Sequence, residues 1–168
     1  EDLESSKKAM SSMEVILGEP SRLERLAVDI HDHFVLSRES DPERIQKGMV
    51  VCSSREIAYK LLKIFKNKYP EWFIEKKHPD GIKVTPEEDK ELKAMPFMAM
   101  VASVGKNDPE DMYNYLGGVT NDKRSSDLDA AFKQDKSNFS IVIVVDMWNT
   151  GFDVPSLTLL YNDRPLQN

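Results

Sequence analysis

Two short runs hold the residue types that could do chemistry. In D-M-W-N-T-G-F-D-V-P (146–155), a threonine, a glycine and an aspartate follow directly on an apolar stretch. Gly151 permits a tight backbone path, Thr150 offers a hydroxyl to a phosphate, and Asp153 can accept hydrogen bonds from a sugar or an arginine. A plain corner between strands would use the same Gly, Asp and Pro as turn formers, and Trp148 suits a stacked base or the core. In the second run, Ser53, Ser54 and Arg55 put two hydroxyls and a guanidinium where a helix begins. Unpaired backbone N–H groups and the positive dipole end favour an anion there. The alternative is that one serine is an N-cap and Arg55 a solvated side chain.

The elements that must position these runs follow from hydrophobic spacing. Ala9, Met10, Met13, Ile16 and Leu17 predict a first helix ending at Gly18. Ser21 and Glu24 read as a capping box ahead of the stripe Leu23, Leu26, Ala27, Ile30 and Phe34. MVVCS from Met49 predicts a strand, followed by an amphipathic helix through Phe65. Residues 69–96, broken by Pro70, Pro79, Gly81, Pro86 and Pro96, read as an irregular insertion with one capping box at Thr85 to Glu88. FMAMVAS (97–103), IVIVVD (141–146) and LTLLYND (157–163) are further strands. Asp108 should cap a short helix through Tyr115, and a polar loop at 121–126 should precede a helix at 128–132. Strands alternating with helices imply an α/β fold, a parallel sheet with helices on both faces and ligand loops at the carboxyl ends of its strands.

The composition narrows the functions. The 168 residues suffice for one domain of ordinary size, and no run approaches the ~20 apolar residues of a bilayer crossing. A net charge of −6 argues against gripping nucleic acid by bulk charge. Basic residues are concentrated locally, however: positions 47–77 hold eight against three acidic ones, whereas 1–46 hold six against eleven. The single Cys52 forms no internal disulfide, which fits a reducing cytosol and a cytoplasmic location. His31 and His33 stand about 200° apart on their helix and cannot share a metal, so they read as surface residues, and no metal site is expected. The chain opens on Glu1 without a signal sequence and reads as a piece of a longer protein.

KGMVVCSSREIAYKLL (47–62) and IVIVVDMWNTGFDVPSLTLLYNDRPLQ (141–167) resemble helicase motifs IV and V of the motor subunit of type I restriction enzymes, superfamily 2 translocases. The resemblance spans about residues 20–167. It implies a three-layer RecA-like (P-loop NTPase-like) second lobe at 46–168, truncated before motif VI, with residues 1–45 as helices leading into it and 69–96 as a family-typical insertion. It further implies that Ser53, Ser54, Arg55 and Thr150 lie near the DNA backbone and that Gly151 and Asp153 approach the nucleotide. In many members of the superfamily the motif V threonine falls where this chain has Val145, so Asp146 beside it is an alternative DNA contact.

The implied parent is an ATP-dependent, DNA-translocating endonuclease subunit, using ATP and Mg2+. Its partners would be double-stranded DNA, a first RecA-like lobe of the same chain, and the methyltransferase and specificity subunits. Neither G-x-x-x-x-G-K-[ST] nor a D-E-x-H-like motif occurs here, so this stretch alone should bind no cofactor and be inactive. The alternatives are a non-catalytic α/β interaction module and the second lobe of another superfamily 2 translocase.

Overall fold

The computed structural model describes residues 2–145, 154 and 156–163. In chain order the elements are α1 (Asp2–Leu17), α2 (Pro20–Ser40), β1 (Lys47–Cys52), α3 (Arg55–Lys68), α4 (Pro86–Glu91), β2 (Met98–Met100), α5 (Glu110–Tyr115), α6 (Asn121–Lys133), β3 (Ile141–Val145) and β4 (Leu157–Asp163), with 3-10 turns at Pro70–Phe73 and Gly118–Thr120. The four strands form one sheet in the order β2-β3-β1-β4, and every pairing is parallel. The fold is thus the expected α/β, RecA-like arrangement. No helix among the described residues is long and apolar enough to cross a membrane.

Alternation along β1, β2 and β3 builds two cores. Val50, Cys52, Met98, Met100, Ile141 and Ile143 face one side, where Leu23, Ile30 and Phe34 of α2 and Ile57, Leu61 and Phe65 of α3 cover them. Met49, Val51, Ala99, Val142 and Val144 face the other, against Leu128, Ala131 and Phe132 of α6. Gly48 serves the first side, since a Cβ there would lie 3.3 Å from the Phe34 ring. Within 69–96, Trp72 is buried and its ring centroid lies 5.9 Å from that of Phe65 and 5.1 Å from that of Phe97, so this segment contributes to the first core.

Local chemistry moved several expected boundaries. α2 begins at Pro20, one residue before Ser21, so Glu19 is its cap and accepts the Ser21 and Arg22 amides at 3.2 and 2.9 Å. The box at Thr85 and Glu88 forms reciprocally, as expected. The strand expected over 97–103 is shorter. Its later carbonyls turn to side chains, that of Ala102 to Asn121 Nδ2 at 2.8 Å and that of Ser103 to Arg55 Nε at 2.9 Å. The loop expected at 121–126 is instead the start of α6. Buried Asn121 anchors it by also donating to the Leu116 carbonyl at 2.8 Å, and a Lys123–Asp127 pair supports its first turns. His31 is half-buried and stacks on Tyr69 at 3.7 Å, while exposed His33 meets the Tyr161 hydroxyl at 2.8 Å.

Lys47, one of the locally concentrated basic residues, is buried at the amino end of β1. Its ammonium donates to the carbonyls of Gln134 and Phe139 at 2.8 and 3.0 Å and lies 5.0 Å from the Phe132 ring centroid. Burial outweighs these contacts and pushes its pKa down to about 7. Between that value and the usual lysine range the unfolded chain binds the extra proton, so stability should rise with pH there, by up to about 1.4 kcal/mol per unit. Urea unfolding at pH 7 and pH 9 should show this gain in the native chain and its loss in Lys47→Met. Parallel pH profiles for the two would contradict it.

Candidate functional site at the carboxyl ends of the strands

Buried on both faces, β1 and β3 expose new polar groups only where they end. β1 ends at Cys52, and the next three residues are the serines and the arginine singled out from the sequence. Ser54 is the N-cap of α3, with extended backbone and a hydroxyl that accepts the Ile57 amide at 3.2 Å. The capping reading is therefore met by Ser54. Ser53 differs, because its Oγ is buried and has no hydrogen-bond partner among the described residues.

Arg55 reaches across to the loop after β2. Its Nε donates to the Ser103 carbonyl at 2.9 Å, its Nη1 to Asp108 Oδ1 at 2.8 Å, and its Nη2 to Asp108 Oδ2. Asp108 Oδ2 also accepts the Gly105 amide at 2.7 Å. This bidentate pair explains why Asp108 does not cap α5, whose N-cap is Pro109 with no side-chain bond. The guanidinium holds the Asp108 carboxyl below the usual carboxylate range, and the pairing raises Arg55. A side chain at Gly105 would break the arrangement, since its Cβ would lie 2.9 Å from both Arg55 Nη1 and Asp108 Oδ1. The clamp leaves further N–H donors on both terminal nitrogens of Arg55.

A second clamp stands at the end of β4. Arg22 donates from Nη1 and Nη2 to Asp163 at 2.8 and 2.7 Å and from Nε to the Leu17 carbonyl at 3.0 Å, joining α1, α2 and the strand end. Asp163 pairs in register with Cys52, whose thiol burial pushes up to about 12. Sequence reasoning missed the Arg22–Asp163 pair, which 141 positions separate, and missed Asp108 because an Asp before Pro reads as a cap. Of the other expected site residues, Asp146, Thr150, Gly151 and Asp153 lie outside the described residues, as does Trp148. Of the locally concentrated lysines, Lys76 pairs with Asp80 and Lys77 with Asp89, while Lys60, Lys63, Lys66 and Lys68 are exposed on α3.

A parallel α/β lobe that gathers paired guanidinium and carboxylate groups at the carboxyl ends of its strands belongs to the class whose ligands meet those loops. The model of the family described as type I restriction enzyme subunit R domain 3 matches residues 44–168, and the chain belongs to that family. The type I restriction enzyme MjaIXP endonuclease subunit of Methanocaldococcus jannaschii is 32% identical over 173 residues, covering 100% of this chain and 13% of that protein. The type I restriction enzyme HindI endonuclease subunit of Haemophilus influenzae is 29% identical over 154 residues, covering 92% of this chain and 12% of that protein. The chain thus spans about an eighth of the length of these curated relatives.

The clamp should carry measurable stability. Asp108→Ala should cost about 1–3 kcal/mol in denaturant unfolding, because it leaves a partly buried guanidinium without its acceptor, and Asp108→Asn should cost less. The carboxyl is depressed in the folded state, so its contribution is present above the unfolded carboxylate range and lost as pH falls through the lower folded value. Equal stability of Asp108→Ala and the native chain would show that the clamp does not hold the two loops.

Proposed function

We propose that this chain is part of the ATP-dependent, DNA-translocating endonuclease subunit of a type I restriction-modification system and forms its second motor lobe. In this reading the lobe supplies half of an ATP cleft and part of the track for double-stranded DNA, and is inactive alone. A first RecA-like lobe of the same polypeptide completes the cleft, and methyltransferase and specificity subunits complete the complex.

The observation that carries this reading is the Ser53 hydroxyl, buried and unpartnered among the described residues at the amino end of α3. A lone donor beside a helix amino terminus suits a phosphate oxygen, and Arg55 stands next to it with N–H groups to spare. Ser54 supports the same contact by fixing the start of α3, and Thr150 or Asp146 would add a polar contact from the loop after β3. Gly151 and Asp153 of that loop would approach the nucleotide. The Arg55–Asp108 and Arg22–Asp163 clamps hold the surrounding strand ends against displacement. Bound ATP with Mg2+ would supply the phosphoryl-transfer energy that drives movement along DNA. This chain's own residues would bind, orient and sense it.

In the full-length subunit, Asp153→Ala should lower DNA-dependent ATPase about a hundredfold. Arg55→Gln should weaken DNA binding and reduce the slope of log affinity against log salt by about one phosphate contact. Native ATP turnover in Asp153→Ala together with an unchanged salt slope in Arg55→Gln would refute the reading.

A further inference from the structure

A cleft of about 530 Å3 lies between the edge strand β2, α6 and the segment preceding β2. None of the residues Ser53–Arg55 or Ser103–Asp108 lines it, so among the described residues it is separate from the loops after β1 and β2. Phe73, Pro96, Met98 and Leu128 give it an apolar wall. Lys66, Lys123 and Arg124 bring positive charge to it, against Glu75 and Asp127. Asp127 is already engaged by Lys123 at 2.8 Å, which takes up one of the two acidic groups of the lining.

Arg124 packs against an aromatic ring of the lining. Its guanidinium carbon lies 4.6 Å from the Tyr115 ring centroid. The Tyr115 hydroxyl oxygen accepts the Met100 amide at 2.9 Å, and its own O–H can still donate. Arg124 Nη1 is buried and without a hydrogen-bond partner among the described residues. Burial lowers the Arg124 pKa, as expected of a cation short of counter-charge. Gly117 adopts φ +97°, which favours glycine, and a Cβ there would also crowd Arg124 Cβ and Cδ at 3.3 Å. Arg124 Nη1 and the Tyr115 hydroxyl are both donors, and what satisfies donors beside an apolar wall is an acceptor carried on an apolar body.

We propose that this cleft binds an organic anion, a carboxylate or phosphate monoester on an apolar body, with Arg124 Nη1 and the Tyr115 hydroxyl donating to the oxyanion and Lys66 at the rim. The motor-lobe reading assigns no role to Arg124, Tyr115 or Lys66, so failure of this proposal would leave that reading intact. The test is to titrate the isotope-labelled chain with phenyl phosphate, with benzoate and with neutral phenol, following the Arg124 side-chain Nε–H resonance by NMR. A saturable shift with phenyl phosphate or benzoate, and none with phenol, is expected, and which anion binds tighter identifies the oxyanion. Arg124→Gln should weaken that binding about tenfold, with the loss read from backbone resonances around the cleft. Tyr115→Phe serves as the second variant if Arg124→Gln does not fold, and should weaken binding in the same direction. No saturable shift with either anion, equal binding of phenol, or unaltered affinity in both variants would overturn the proposal.

Discussion

The constraint on which this structure rests is that β1 and β3 are buried on both faces. Met49 and Val51 point into one core and Val50 and Cys52 into the other, and β3 repeats the pattern with Val142 and Val144 against Ile141 and Ile143. Nothing polar can be carried on such strands without a partner. Where a charge is admitted, at Lys47, it is used structurally: it collects carbonyls at the end of α6 and the start of β3. Chemistry is driven to the strand ends, and the amino end of β1 is already spent on that lysine.

At the carboxyl ends, two arginine–aspartate pairs perform the positioning. Arg55 ties the start of α3 to the loop after β2, and Arg22 ties the start of α2 to the end of β4. Both pairs are bidentate, so each fixes an orientation as well as a distance. The Ser53 hydroxyl, without a partner among the described residues, sits within this frame, beside a helix amino end whose cap Ser54 already supplies. The two pairs thereby fix the geometry around that donor.

Much of this was legible in the sequence because it depends on local pattern. The bounds 157–163 of β4 and the end of α1 before Gly18 coincide with the structure, and the reciprocal box at Thr85 and Glu88 forms. What failed depends on partners distant in sequence. Asp108 is a cap by every local rule, yet a guanidinium 53 positions earlier outbids the helix for its carboxylate. The polar run at 121–126 lacks an apolar stripe, and it is helical because Asn121 is anchored to carbonyls of two other segments. Lys47 looked like part of a basic surface because burial is set by α6 and β3, more than 80 positions away. The family itself was legible because its motif after β3 is long and narrow, and domain 3 of type I restriction subunit R matches from residue 44 onward.

The most direct test of the central claim, that the strand ends of this lobe serve nucleotide and DNA together, is hydrogen–deuterium exchange on the full-length subunit with and without a non-hydrolysable ATP analogue and duplex DNA. The account predicts that protection gained on binding concentrates at residues 53–55, 103–108 and 146–155. Protection confined to the opposite end of the sheet, around residues 42–47 and 134–140, with the strand-end loops unchanged, would contradict it.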